Sequence, residues 1–150
     1  MKRWVLLVLP LVSATACSSS SSGTTLTDPT TTAVLTTDIL AGTVPPPVNG
    51  TLQSDMKTFK VTQANGTTTI TLTSAIETLP GGSLLTNVNM GLSVGSLSGT
   101  TCTTLTNGSV VGSAGINLSG TLQTGSYCVR VADVTNQLGP VAYAVAAEHP

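Results

Sequence analysis

"TFKVTQANGTTTITLTS", residues 58–74, carries the pattern on which the fold is read. Its apolar residues fall at every second position, Phe59 and Val61 first, then Ile70 and Leu72. Successive side chains of a strand point to opposite faces, so a period of two places each pair on one side of an extended segment. Asn65-Gly66 lies between the two runs and is a hairpin signal, because both residues tolerate positive φ. The threonines at the alternate positions are β-branched and suit a pleated, half-solvated surface. The same alternation recurs in Val88, Met90, Leu92 and Val94, in Ile116 and Leu118, in Tyr127, Val129 and Val131, and in Val141, Tyr143 and Val145. Weaker strands are expected near 39–44 and 102–111. Pro80-Gly81-Gly82, Asn107-Gly108, Gly125 and Gly139-Pro140 separate the runs. Seven or eight short strands at this spacing predict an all-β fold, an antiparallel β-sandwich over residues 38–150.

Composition narrows what such a domain can do. Only 7% of the chain is charged and 3% is aromatic. Five Lys and Arg face six Asp and Glu, and two of the cations, Lys2 and Arg3, stand at the extreme N-terminus. No basic patch is left to meet a phosphate backbone, so nucleic-acid binding is excluded as a function class.

The first sixteen residues, "MKRWVLLVLPLVSATA", run from a cationic start through an apolar stretch to small residues. That is the layout of a secretory signal peptide (1–16). Residues 4–16 as a helix would extend about 20 Å, short of the roughly 30 Å hydrocarbon core of a bilayer. Ala14-Thr15-Ala16 followed at once by Cys17 resembles the lipobox of bacterial lipoproteins over residues 1–18. That resemblance implies cleavage before Cys17 and acylation of the new N-terminal cysteine, although Ala14-x-Ala16 also satisfies an ordinary signal peptidase. Two or three acyl chains would hold the protein stably on a membrane. Residues 17–37 then read as the lipidated cysteine and a flexible Ser/Thr-rich tether, since they offer too little apolar area to offset the entropy of ordering. The expected location is the bacterial cell envelope, anchored by lipid to the outer membrane or cell surface, with a secreted or periplasmic form as the alternative.

Without Cys17, Cys102 and Cys128 remain as an even pair in an exported domain, which favours a disulfide. A loop of 26 residues closed in this way contributes about 3.5 kcal/mol in the chain-entropy account. Cys128 is out of phase with Tyr127, Val129 and Val131, so the bond is expected to staple strand to loop on the surface.

The parts for catalysis are scarce. "GLSVG" (91–95) matches G-x-S-x-G, but Ser93 sits mid-strand and the chain's one histidine, His149, is its penultimate residue. Asp28 and Asp38 fall in or beside the tether and Glu148 near the C-terminus, which leaves Asp55, Glu77 and Asp133 as expected solvated turn residues. Two thiols and one imidazole are too few for zinc, and no calcium-loop pattern occurs, so neither metal nor cofactor is expected. Asn49, Asn65, Asn107 and Asn117 open N-x-S/T triplets, three of them Asn-Gly turns, and Arg130 reads as a solvated strand residue. Phe59, Tyr127 and Tyr143 alternate with core residues, so an exposed aromatic platform for glycan is poorly supplied. Sheet edges with few charges are open to a partner strand.

"TFKVTQANGTTTITLTS", "TGSYCVRVADV" and "GPVAYAVAAEHP" together resemble the bacterial pre-peptidase C-terminal-like domain over residues 45–150. The resemblance implies a jelly-roll-like sandwich of surface proteins, and no catalytic residue carries over. The expected function is a non-catalytic binding or spacer module of the envelope. A glycan- or peptide-binding protein, or an accessory domain of a secreted hydrolase system, is the alternative.

Overall fold

Where Val, Ile and Leu alternate with Thr and Ser, the chain is extended and paired with at least one neighbouring strand. The computed structural model describes residues 34–135 and 137–150. The expected signal peptide, Cys17, Asp28 and the tether up to residue 33 lie outside the described residues. Among these, nine strands and no helix occur: β1 (Thr36–Val44), β2 (Ser54–Val61), β3 (Thr67–Thr78), β4 (Leu84–Thr86), β5 (Met90–Ser98), β6 (Thr101–Gly112), β7 (Asn117–Thr121), β8 (Gly125–Asp133) and β9 (Val141–His149). The expected domain boundary at residue 38 falls inside β1. One sheet runs β1-β9-β3, with β7 along the first half of β3 and β4 along its last residues; the other runs β2-β8-β5-β6. Every pairing is antiparallel. With the three-residue β4 set aside, the orders β1-β9-β3-β7 and β2-β8-β5-β6 are the two four-stranded sheets of a jelly roll.

Phe59, Val61, Ile70, Leu72, Met90, Leu92, Val94, Val129, Val131, Val141, Tyr143 and Val145 form one core between the sheets. These are the period-two positions, and each fully buried Leu, Ile or Val contributes roughly 1.5–3 kcal/mol. Asn65-Gly66 departs from expectation. Asn65 does adopt positive φ (68°), but β2 pairs with β8 and β3 with β9, so the dipeptide carries the chain from one sheet to the other and closes no hairpin. The reason is burial: Phe59 and Val61 face Ile70 and Leu72 across the core, an arrangement a flat two-stranded hairpin does not provide. Asn49-Gly50 makes the tight turn instead, with Val48 and Thr51 exchanging both backbone hydrogen bonds.

Cys102 and Cys128 are joined in a disulfide. The bond ties β6 to β8, strand to strand and not strand to loop as expected. Two strands separated by a third stand about 9.5 Å apart, yet these Cα atoms are 5.9 Å apart. The start of β6 folds over Gly95 of β5 to close that gap. A Cβ at Gly95 would lie 2.6 Å from the Thr103 carbonyl oxygen and 2.9 Å from Cys102 Sγ, so only glycine fits beneath the bond. Cys128 is wholly buried under this cover, on the sheet face opposite the core.

Candidate functional site

The acidic residues expected as solvated turns are instead structural, with Glu77 and Asp133 buried and Asp55 half-buried. Glu77, in β3, is 4% exposed, and its Oε1 accepts hydrogen bonds from the backbone N–H groups of Leu138 (2.6 Å) and Gly139 (2.9 Å). The β8–β9 loop therefore presses on β3 so closely that a Cβ on Gly139 would overlap the Thr78 carbonyl. Asp133, at the end of β8, turns the same loop: Oδ1 accepts from the Thr135 N–H at 2.9 Å and Oδ2 from the Gln137 N–H at 3.2 Å. Short acidic side chains readily make such turns with the backbone that follows them, and Asp133-Val134-Thr135 is a signal that could have been read for it.

Asp55 stands in β2, not in a loop. Its Oδ2 accepts from Tyr143 Oη at 2.8 Å and meets Lys57 Nζ at 3.1 Å, and its Oδ1 accepts from the Met56 N–H. Gly42 of β1 lies over this cluster, where a Cβ would overlap Asp55 Oδ2. Burial pushes the Asp55 carboxyl up, but the hydrogen bonds from Tyr143, Lys57 and Met56, with the Lys57 charge, hold it below its ordinary value. Burial, then the hydrogen bond to Asp55 and its charge, push the Tyr143 hydroxyl well above the ordinary value for tyrosine. His149 is buried at the end of β9, with Nε2 3.1 Å from Asp38 Oδ2 and its ring 5.5 Å from that of Phe59. Ser93 lies in β5, half-buried, between Arg130 of β8 and Ser109 of β6. Among the described residues, no hydrogen bond or ion pair joins Asp55, Glu77, Asp133, His149 and Ser93 to one another, and no cluster of metal-ligating side chains occurs.

A cavity of about 200 Å³ opens at the opposite side of the sandwich, where β6 faces β7. Two irregularities make it. In β6 the register against β5 jumps, with Gly95 opposite Thr104 but Ser93 opposite Ser109, so residues 105–108 bulge away from the ladder. The expected Asn107-Gly108 turn is this bulge, inside a strand and not between strands. Asn107 takes φ 59°, and Gly108 is pressed against the Val94 carbonyl, where a Cβ would lie 2.7 Å away. In β7, Gly120 pairs with Thr68 of β3 and so shares its inward face. A Cβ at Gly120 would meet nothing within 4 Å. The space that a side chain would fill is open.

Ile70, Val94, Leu105, Leu118 and Leu122 give this cavity apolar walls, and Thr68 lines it from inside. Thr68 is 2% exposed, and its Oγ1 has no hydrogen-bond partner among the described residues. Gln137 Oε1 is likewise unpartnered but does not line the cavity. Leaving a buried hydroxyl unpaired costs about 1–3 kcal/mol. None of the cavity's lining residues is charged, aromatic or otherwise titratable. Tyr127 and Tyr143 are buried in the core, with Tyr127 Oη donating to the Gln123 carbonyl. The cavity was not foreseen, because it arises from the pairing of Thr68 with a distant glycine. Compared with known proteins, the chain matches no family model and no curated sequence.

Proposed function

We propose that this chain is a non-catalytic lipoprotein of the bacterial cell envelope, whose β-sandwich is a binding module carried beyond a Ser/Thr-rich stretch at residues 17–37. The observation that carries the reading is the cavity between β6 and β7. An uncharged, apolar-walled socket suits holding a neutral group, and its lining offers no titratable acid or base to transform one. Asp55, Glu77, Asp133 and His149 are each committed elsewhere to backbone or side-chain partners. Support for export comes from the cationic, apolar and small-residue succession before Cys17 and from a disulfide, which belongs with an oxidising compartment. A pre-peptidase C-terminal-like relationship belongs to the same proposal, since the jelly-roll strand order is what that resemblance implies. Buried tyrosines favour a peptide over a glycan as the bound partner.

The test is the intact mass of the N-terminal peptide after expression in a bacterial host, with detergent phase partition of the whole protein. A Cys17 carrying two or three acyl chains and partition into the detergent phase are expected, with Cys17→Ser remaining in the aqueous phase. An unmodified Cys17 at the mature N-terminus would overturn the anchor.

A further inference from the structure

We propose that the end of the sandwich where β1, β3 and β8 finish is a lipid-contact surface, whose apolar loop tips enter the neutral interface of the bilayer that holds Cys17. This rests on the lipoprotein reading and adds a second, protein-borne contact with the membrane.

The strand registers gather three connections at this end. Val44, the last residue of β1, pairs with Val141, the first of β9, and Val141 pairs with Glu77 near the end of β3. In the other sheet Ser54, the first residue of β2, pairs with Ala132, and Met90, the first of β5, with Asp133 at the end of β8. The bond from Tyr143 to Asp55 ties the two sheets together near these positions. Val48 and Leu52 stand in the first connection, Leu84 and Leu85 in β4 within the second, and Leu138 in the third. Each is between 47% and 71% exposed. No residue of 45–53, 79–89 or 134–140 is charged, and Glu77 and Asp133 beneath them are buried. An exposed apolar cluster of this kind marks a docking surface. At the opposite end, residues 62–66 and 122–124 expose no large apolar side chain.

The backbone selects lipid over a partner strand. Lipid offers no hydrogen-bond partner, so a segment entering it must satisfy its own amides. Pro45, Pro46, Pro47, Pro80 and Pro140, five of the chain's eight prolines, lie in these connections and have no N–H to satisfy. Val48 and Thr51 bond each other, the Leu79 N–H donates to Ser83 and the Gly82 N–H to Leu79. Glu77 accepts from Leu138 and Gly139, and Asp133 from Thr135 and Gln137. An added strand pairs with free main-chain groups, and these donors are already committed. The tips also carry no cation to seek anionic headgroups, so neutral lipid suffices.

Chain length permits the contact. β1 carries the chain about 30 Å from Thr36 to Val44, and residues 17–34 span up to about 55 Å when extended. The apolar end therefore reaches the bilayer in which Cys17 is held.

The test places a fluorescent label on Leu138→Cys, or on Thr124→Cys at the opposite end, in the acylated chain reconstituted into phosphatidylcholine vesicles. Brominated lipid is expected to quench the first label and not the second. In the Cys17→Ser chain with excess vesicles, the Leu138 label is expected to be quenched as well. There, Leu84→Ser is expected to lower vesicle partition about tenfold. Leu85→Ser is a second exposed variant should the first disturb the fold. An acylated chain whose Leu138 label is not quenched overturns the proposal and leaves the anchor intact. An unacylated Cys17 removes the anchor, whereas quenching in the Cys17→Ser chain still upholds the lipid contact. Quenching that requires anionic lipid would assign the contact to Lys60 and Arg130, within β2 and β8, and overturns the proposal. A dimer dissolved by Leu138→Ser, with no quenching, overturns it in favour of a second copy.

Discussion

Asp55 and Tyr143 show how one hydrogen bond sets the response of this fold to pH. The carboxyl is held below its ordinary value of 3.8, so the stability it contributes is present above that value and is lost as pH falls through its lower folded-state value. The tyrosine hydroxyl is raised above 10.0, so its contribution is complete below pH 10 and is lost as pH rises beyond it. Tyr143→Phe removes the donor and leaves Lys57 and the Met56 N–H on the carboxylate. Urea unfolding at neutral pH should show a loss of about 1 kcal/mol, the lower end for a bond to a charged group because Asp55 is partly solvated. In the variant the gap between the folded and unfolded values of Asp55 narrows, so the acid-side decline should become shallower, and the decline above pH 10 should flatten. None of this was legible from the sequence. Asp55 and Tyr143 are far apart in the chain, and an Asp beside Gln53 and Ser54 reads locally as a turn.

At the scale of elements, period-two alternation located the strands, because burial of one face is imposed residue by residue. It was silent on which strands pair. Asn65-Gly66 announces a change of direction, but whether the chain returns alongside itself or crosses to another sheet depends on where Phe59 and Ile70 find apolar neighbours. Glu77 illustrates the same limit, since the two amides it binds belong to a loop some sixty residues on. Glu77→Ala should free that loop and leave two N–H groups unpaired beside β3. A loss of about 2–4 kcal/mol follows from breaking two bonds to a charged acceptor in a buried place. Hydrogen exchange should accelerate first at Leu138 and Gly139. Exchange no faster there than elsewhere would show that Glu77 does not hold the loop.

At the scale of the whole molecule, the disulfide ties the folded-over start of β6 to β8. Cys102 and Cys128 were readable as a pair from the count of cysteines alone, whereas the burial of the bond was not, because it depends on a glycine beneath it. Reduction, or Cys102→Ala with Cys128→Ala, should cost about 3.5 kcal/mol by chain entropy. Denaturant midpoints in the presence and absence of reductant measure it, and an unchanged midpoint would show that the bond is dispensable. The cavity lies beyond any such count. It exists only once β3 and β7 are in register, when the side chain missing at Gly120 leaves open space between the sheets.

The strand order has a consequence in time. β8 lies between β2 and β5, and β9 between β1 and β3, so the central strand of each sheet is among the last parts of the chain to be made. A polypeptide delivered from its N-terminus onward has β1, β2, β3 and β5 in hand with no neighbour to join them across each gap. Neither sheet closes until residues 125–149 arrive, and the whole sandwich then assembles from contacts remote in sequence, a slow kind of folding. Before β8 and β9 are made, the pairings within reach are those of β5 with β6 and of β3 with β4 and β7.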